Sequence, residues 1–392
     1  MRIDEFLSRV VERGGSDLHL KVGSPPMGRI DGDLIPIDER ALTENDLEAV
    51  LVKITERTPA KREHFLAHGD LDTAYVANEL GRFRVNAFRQ RGAVSFAFRF
   101  IPASVPTFKQ LGLPAGVERL ADEHRGLVLV TGATGPGKST TLAAMIDKMN
   151  RGRKQHIVTI EDPIEFVHED RGCIVNQREI GLDTESYSQA LRRVLRQDPD
   201  VILIGELRDE ESAKAALQAA ESGHFVLSTM HTIDTTETVG RLIEFFPPAK
   251  QMMVRTILAG VLRGVASQRL LPKIGGGRVA AVEVLVNTAR IADLIRDPAK
   301  TDSIPEALAE GDYHQMQTVS QHLVELVLED LVELETAAAA ATNRHDFEIA
   351  VQQALRRKQA AASNGAPSEE PEPAEEPANG NGVGLRLASS GE

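Results

Sequence analysis

A glycine-rich segment with one lysine and one serine carries the clearest chemical signal in the sequence. Residues 132–139 read GATGPGKS, which matches the phosphate-binding pattern G-x-x-x-x-G-K-[ST]. In such a loop backbone amides turn toward the phosphates, Lys138 reaches the β- and γ-phosphates, and the Ser139 hydroxyl binds Mg²⁺. Pro136 departs from this scheme because it removes one amide donor. The residues expected to bind ATP are Gly132, Ala133, Thr134, Gly135, Pro136, Gly137, Lys138, Ser139 and Thr140.

Three titratable side chains each follow an apolar, strand-like stretch. Glu161 follows HIVTI, Glu206 follows VILIG, and His231 follows FVLSTM, while LVLVT leads into the phosphate loop. The carboxyl ends of parallel strands meet at one edge of a sheet, so these side chains are expected around one Mg·ATP. One carboxylate would hold the metal together with Ser139, and Glu206 is the candidate. Glu161 and Glu206 would also share the activation of the attacking water, and His231 would donate to the γ-phosphate.

The elements that would position these side chains alternate between strands and helices from residue 117 onward. This alternation predicts a doubly wound α/β domain with a parallel sheet over residues 117–358, in which HIVTIE is followed by a short hairpin. From about Ala249 the pattern is mostly helical. It includes a helix over QMMVRTILAGVLRGVASQRLL and a strand near VAAVEVLV. The proline-rich residues 102–116 are interpreted as a linker.

Residues 1–101 predict a separate α+β domain, with one amphipathic helix followed by several strands. The last two strand-like stretches, GRFRVNAFRQ and AVSFAFRFI, alternate between apolar and polar residues. If they pair as a hairpin with their apolar sides together, Arg84 and Arg99 share the opposite face.

Composition restricts the possible partners. The chain has 45 Lys and Arg against 58 Asp and Glu, a net charge of -13, and only 4% aromatic residues. A nucleic-acid-binding protein needs a basic or aromatic surface, so DNA or RNA is not expected as the main partner. Residues 359–392 are rich in Pro, Glu and Gly and predict a disordered acidic tail.

The sequence also indicates a compartment. Cys173 is the single cysteine, so it can form neither an intramolecular disulfide nor a multi-cysteine zinc site. The N-terminus has Asp4 and Glu5 where a signal peptide needs apolar residues, and no apolar run approaches the roughly 20 residues of a spanning helix. We therefore expect a soluble cytoplasmic protein.

Four motifs together resemble one family of motors. GATGPGKST, IVTIEDPIEFVHED, LRQDPDVILIGELRD and STMHTIDTTETVGRLIEFFP follow one another as in the secretion-superfamily ATPases, and most closely resemble the retraction ATPases of type IV pili that drive twitching motility. The resemblance covers about residues 1–355. It implies an N-terminal PAS-like domain, a C-terminal RecA-like P-loop domain, a ring of six subunits, and action on an inner-membrane platform protein.

The resemblance also assigns residues. It implies that the acidic box is Glu161, Asp162 and Glu165, the magnesium-strand motif is Gly205 and Glu206, and the histidine box is His231. It further implies that N-terminal arginines of one subunit face ATP bound elsewhere in the ring. Arg84 and Arg99 are the candidates for this catalytic role, with Arg91 in reserve.

Two departures from the family bear on the role of the chain. The extension motors carry a four-cysteine zinc module that one cysteine cannot provide, so extension is disfavoured. The C-terminal helix motif at residues 289–297, ARIADLIRD, matches loosely, so the chain is either a main retraction motor or an accessory paralogue. The sequence is also compatible with a nucleotide-binding assembly factor of little turnover, or with a related secretion or DNA-uptake ATPase. A paralogous pilus ATPase is a further expected partner.

Overall fold

The computed structural model describes residues 3–30, 32–77, 80–101 and 104–364, with side chains described as far as Lys358. Within these ranges the strands form two sheets, one from the N-terminal part and one from residues after 125. Of the predicted acidic tail, residues 365–392 lie outside the described residues. The last helix continues through Asn364, so the start of that tail at residue 359 lies inside a helix.

The N-terminal unit is an antiparallel sheet with helices packed on one face. Its elements are α1 (Ile3–Glu12), β1 (Asp17–Lys21), β2 (Met27–Ile30), β3 (Asp33–Pro36), α2 (Glu44–Ile54), α3 (Pro59–His68), β4 (Asp70–Ala77), β5 (Gly81–Gln90) and β6 (Ala93–Ile101). The strand order is β3-β2-β1-β6-β5-β4 among the described residues. Leu7 of α1, Leu47 of α2 and Phe65 of α3 are buried in one apolar cluster with Phe83 and Phe98 of the sheet.

The register of β5 and β6 confirms the predicted hairpin. Val85 pairs with Phe98, and both side chains are buried. Arg84 pairs directly with Arg99 on the opposite face, where both side chains are exposed. The side chains of an antiparallel pair alternate between faces, so covering one face with helices leaves the two arginines side by side on the other.

The predicted linker, residues 102–116, contains helical turns. Two short helices follow the N-terminal sheet, α4 (Phe108–Leu111) and α5 (Ala115–Leu120), and residues 102 and 103 lie outside the described ranges. Thr107 caps α4, where it accepts a hydrogen bond from the Gln110 amide, and Pro114 stands at the N-cap of α5. Because proline is compatible with the first positions of a helix, a proline-rich stretch does not exclude these turns.

The C-terminal unit is built on a larger, mainly parallel sheet. Its elements are β7 (Gly126–Thr131), α6 (Lys138–Gly152), β8 (His156–Glu161), β9 (Ile174–Glu179), α7 (Tyr187–Val194), β10 (Val201–Ile204), α8 (Glu210–Glu221), β11 (Phe225–Met230), α9 (Thr235–Glu244), α10 (Pro248–Val261), β12 (Leu262–Pro272), β13 (Arg278–Val286), α11 (Ala289–Arg296), α12 (Ile304–Ala309), α13 (Val319–Leu328), α14 (Leu334–Ala340) and α15 (Arg344–Asn364). The strand order is β13-β12-β7-β11-β10-β8-β9 in the described part, and only β13 runs antiparallel to its neighbour there.

Both faces of this sheet are covered. Every residue of β7 and of β11 is buried. Along β7, Leu127 and Leu129 belong to the apolar cluster that contains α8 and α10, whereas Val128 and Val130 belong to the cluster that contains α5 and α6. Neither strand carries a charged residue, so charged side chains are available only at the strand ends.

The prediction of a hairpin after HIVTIE is wrong, because the chain leads instead into the strand β9. It pairs with β8 in parallel, with His156 opposite Ile174 and Glu161 opposite Glu179. The connection returns to the start of β8 because Asn150 of α6 holds its end. The Asn150 side chain donates to the Glu169 carbonyl over 2.7 Å and accepts from the amides of Arg171 and Cys173. Such a return has no local turn signal in the sequence.

The prediction of one long helix over QMMVRTILAGVLRGVASQRLL is wrong, because the second half of this segment forms the strand β12. The helix α10 ends at Val261, and residues 262–272 form a strand parallel to β7 and antiparallel to β13. Gly264 packs so closely that an added Cβ would lie 2.4 Å from the Leu120 side chain and 2.5 Å from the Leu285 carbonyl oxygen. This tertiary packing overrides the helical periodicity of the segment.

Candidate active site

The phosphate loop lies between β7 and α6, as its sequence predicts. Gly132 has φ 141° and Gly137 has φ 89°, conformations that glycine adopts without strain. A Cβ on Gly132 would lie 2.4 Å from the Gln268 carbonyl oxygen, so the loop needs glycine there also for space. Helix α6 begins at Lys138, and its N-terminus therefore points into the loop.

Lys138 is held at the mouth of this loop by backbone oxygens. Its Nζ donates to the carbonyls of Gly132 over 2.7 Å and of Ala133 over 2.8 Å, and it lies 3.4 Å from Nδ1 of His231. Burial lowers the pKa of Lys138, and the nearby carboxylates of Glu206 and Glu165 oppose that effect. The ammonium thus sits where the phosphate loop, the histidine and two acidic segments converge.

Glu206 connects the end of β10 to the end of β11. Its Oε1 lies 3.1 Å from Nε2 of His231, and its Oε2 lies 2.8 Å from a guanidinium nitrogen of Arg208. This hydrogen bond raises the pKa of Arg208. Lys138, His231 and Glu206 therefore form one continuous polar chain, as the convergence of strand ends predicts.

Glu161 lies at the end of β8 in a more enclosed position. Its Oε1 accepts hydrogen bonds from Thr159 Oγ1 over 2.6 Å and from Gln177 Nε2 over 3.1 Å. Burial raises the pKa of Glu161, and the negative charge of Glu165 adds to that effect, whereas the two hydrogen bonds oppose it. A carboxylate with a raised pKa is suited to accept a proton.

The two arginines of the N-terminal sheet reach this same site. Arg84 and Arg99 line a cavity of about 740 Å³ together with residues 134–140 of the phosphate loop, Glu161 and Glu206. The family resemblance implies arginines that face ATP bound elsewhere in a ring, but here a single chain brings both to its own phosphate loop. Arg99 also donates to Asp17 over 2.8 Å.

The cavity accounts for nearly all of the predicted site. His231, Asp162, Glu165 and Gly205 also line it. Gly132 and Ala133 contribute through the carbonyls that hold Lys138. Arg91 lies in the turn between β5 and β6 with φ 51°, and it is not among the residues that line this cavity. A larger open cleft of about 1060 Å³, around Arg125 and Arg290, has no phosphate loop.

Several residues of the site were not predicted from the sequence. They are Gln177, Tyr187, Arg208 and Arg278. Gln177 lies on β9 directly opposite Thr159, a position that could be derived only from the parallel register. The Tyr187 hydroxyl would be 2.6 Å from a Cβ on Gly205, so that glycine makes room for the tyrosine. Burial raises the pKa of Tyr187, and the charges of Asp162, Glu161 and Glu206 add to that effect.

Comparison with known proteins places this geometry in context. A family model described as type II/IV secretion system protein matches residues 1–360. The type IV pilus retraction ATPase PilT of Pseudomonas aeruginosa is 44% identical over 347 residues, which are 88% of this chain and 100% of that protein. The type IV pilus ATPase PilU of the same organism is 40% identical over 353 residues, 90% of this chain and 91% of that protein.

A solved structure shows the same architecture. The crystal structure of the pilus retraction motor PilT with bound ADP is 43% identical and superposes with a TM-score of 0.82, covering 89% of this chain and 99% of that one. The predicted α/β class, with an N-terminal α+β domain and a C-terminal RecA-like P-loop domain, is confirmed. In the part of the chain that the structure describes, no helix has both the length and the apolar character needed to span a bilayer.

Proposed function

The chain belongs to the family of type II/IV secretion system proteins, and from this premise we propose that it is the ATPase motor that retracts type IV pili. The resemblance to twitching-motility ATPases that the four motifs indicate is confirmed over nearly the whole chain. The observation that carries the proposal is the meeting of the phosphate loop, Glu161, Glu206 and His231 in one cavity. Together they provide the phosphate-binding groups and the carboxylates that ATP hydrolysis requires.

The two acidic side chains have different surroundings, which supports a division of labour. Glu161 is enclosed, and its raised pKa brings it closer to the working pH of a general base, so we assign it the proton of the attacking water. Glu206 lies between Arg208 and His231, and we assign it to the metal side of the nucleotide. His231 would then contact the γ-phosphate, because it lies beside both Glu206 and Lys138.

The residues present fit a magnesium ion. The Ser139 hydroxyl at the start of α6 and the Glu206 carboxylate are hard oxygen donors in the same cavity, and Mg²⁺ prefers such ligands together with phosphate oxygens. The metal would supply positive charge to the triphosphate. The phosphate loop from Gly132 to Thr140 would hold the phosphates, with Lys138 leaving its carbonyl partners for the β- and γ-oxygens.

The motor cycle would use the two sheets as moving parts. Because Arg84 and Arg99 line the same cavity as the phosphate loop, ATP can draw the N-terminal sheet toward the C-terminal sheet, and hydrolysis releases it. In a ring of six chains, this closure would act on an inner-membrane platform protein at the cytoplasmic face of the membrane. A paralogous pilus ATPase would be a second partner.

An ATPase assay and a motility assay test the proposal together. We expect the purified chain to hydrolyse ATP. Expressed in a bacterium that lacks its own retraction ATPase, the chain should restore twitching. Glu206→Gln should lower turnover about a hundredfold or more and still bind nucleotide, whereas Glu210→Gln, which loses a surface ion pair with Lys250, should behave as wild type. Undiminished turnover in Glu206→Gln would remove Glu206 from the mechanism.

The same assays distinguish a main retraction motor from an accessory paralogue. An accessory paralogue would restore twitching only beside a second pilus ATPase. Turnover no faster than in buffer would instead indicate a nucleotide-binding assembly factor. Restored DNA uptake or secretion without twitching would indicate a motor for a different filament.

A further inference from the structure

A buried ion pair joins the two sheets. Arg82 of β5, in the N-terminal unit, pairs with Glu179, the last residue of β9 in the C-terminal unit. The exposed fraction of the side chain is 13% for Arg82 and 2% for Glu179. A buried carboxylate is stable only with a close partner, so Arg82 is expected to stay with Glu179 and to hold β5 against β9 as long as the two sheets are closed around the cavity.

The same carboxylate also holds the acidic segment that follows β8. Glu179 Oε2, the oxygen that pairs with Arg82, accepts a hydrogen bond from the backbone amide of Ile164 over 3.2 Å. Ile164 is itself buried and lies between Asp162 and Glu165, both of which line the nucleotide cavity. Glu179 therefore determines where this wall of the cavity stands.

Arg82 positions the opposite wall. Arg82 and Arg84 are two residues apart on β5, so their side chains leave the same face of the sheet. Arg84 pairs with Arg99 of the neighbouring strand, and the two side chains line the cavity side by side. Anchoring Arg82 on Glu179 thus sets the position from which Arg84 and Arg99 reach the phosphates.

We propose that Glu179 is a positioning residue for ATP hydrolysis, which ties the arginine wall of the cavity to its acidic wall through Arg82. The inference rests on the proposed ATPase function and deepens it. Through this residue the N-terminal sheet and the segment after β8 hold the closed arrangement, in which the arginines and the acidic groups face the same phosphates. Among the described residues, the hydrogen bonds of Lys138 go to the Gly132 and Ala133 carbonyls and to His231 and not to Arg82 or Glu179, so nucleotide binding by Lys138 is not expected to depend on the pair.

Substitutions on both sides of the pair test this inference. Arg82→Gln and Glu179→Gln each remove the ionic contact, and Glu179→Gln keeps an oxygen that can accept from the Ile164 amide. Each should lower kcat roughly tenfold or more, because misplaced groups lose catalytic power steeply, while the affinity for ADP changes less than about twofold. The double variant should lose no more than either single variant, since both remove one interaction. Glu179→Ala should lose more, because the Ile164 amide also loses its acceptor.

Hydrogen exchange of the full chain with bound ADP supplies a readout that needs no turnover. In Arg82→Gln, amides 81–90 and 164–168 should both exchange faster, whereas Arg9→Gln, whose partner Asp38 lies within the N-terminal unit, should change neither segment. Unchanged exchange in both segments would overturn the inference even if the chain hydrolyses no ATP. Additive losses of kcat in the double variant would also overturn it. A wild-type chain without turnover, but with the expected exchange pattern, would contradict the proposed function and leave the positional link standing.

Discussion

The two sheets of this molecule deliver their functional side chains in different ways. The C-terminal sheet is buried on both faces, and its chemistry lies at its edge, where Glu161, Glu206 and His231 follow the strands. The N-terminal sheet is buried on one face, and Arg84 and Arg99 project from the other. A parallel sheet covered by helices can act only from its edge, whereas an antiparallel sheet with one free face can act from that face.

We therefore expect the edge of the C-terminal sheet to bind and hydrolyse the nucleotide, and the exposed face of the N-terminal sheet to respond to its phosphates. Lys138, His231 and Glu206 contact one another in a chain, and Glu161 lines the same cavity. The face residues reach the cavity from a separate unit. Removal of Lys138 should therefore reduce both nucleotide binding and turnover. Variants of Glu161 or Glu206, and variants of the face, should reduce turnover and leave ADP binding unchanged.

The largest effect is expected at the edge, from Lys138→Ala. Loss of the buried ammonium removes the positive charge for the β- and γ-phosphates, so turnover should fall on the order of a thousandfold and nucleotide affinity should fall with it. Steady-state hydrolysis and titration with a fluorescent ADP analogue measure the two quantities. Lys148→Ala is the matched control, because Lys148 lies on the same helix but pairs with Glu118 and Asp122. Equal losses in both variants would contradict the assignment.

The next largest effect is expected from Glu161→Gln. If Glu161 accepts the proton of the attacking water, kcat should fall about a hundredfold or more while ADP binds as in wild type. Single-turnover hydrolysis with excess enzyme isolates the chemical step. Glu185→Gln, an exposed position on the connection after β9, serves as the control. A smaller loss than in Glu206→Gln would exchange the roles of the two carboxylates.

The arginine face should show a smaller and more selective effect. Arg84→Gln and Arg99→Gln should each lower kcat about tenfold and leave ADP affinity unchanged, because they act on the phosphates from the second sheet. Arg89→Gln on the same strand removes a hydrogen bond to the Gly92 carbonyl in the neighbouring turn and should have no effect on kcat. If the arginine variants weaken ADP binding as strongly as Lys138→Ala does, the distinction between edge and face fails.

The smallest expected effect is a shift in pH dependence. The hydrogen bond from Gln177 favours the charged form of Glu161 and so lowers its pKa. Gln177→Met should raise the pKa of Glu161 further, so the acidic limb of the kcat profile should move to higher pH. Turnover well above that limb should be close to wild type, because the carboxylate is then ionised in both proteins. An unmoved limb would show that another group controls it.

The sequence predicts the nucleotide site well where its signals are local. The phosphate loop and the three strand-end residues depend on short motifs and on the direction of parallel strands, and the hairpin of Arg84 and Arg99 depends on alternation within two adjacent stretches. Gln177 could not be predicted, because its place opposite Thr159 depends on a parallel pairing across a connection that Asn150 holds.

The fold shows the same division. The strand β12 could not be predicted from helical periodicity, because what decides its conformation is pairing with β7 and β13 and the close packing of Gly264. Likewise the pairing of Arg82 with Glu179 joins residues that are 97 positions apart. Neither residue belongs to a motif, so the contact is visible only after both sheets are in place.

Because Asn150 holds the connection that leads into β9, helix α6 links the phosphate loop mechanically to that strand. This helix begins at Lys138, and Asn150 stands about 18 Å further along its axis at 1.5 Å per residue. If the phosphate end of the helix tilts, the rigid helix would move the chain that leads into β9. That strand ends at Glu179, whose carboxylate pairs with Arg82 of the N-terminal sheet. The helix would then act as a lever arm. Shortening it or inserting a flexible turn would uncouple ATP hydrolysis from movement of the N-terminal sheet.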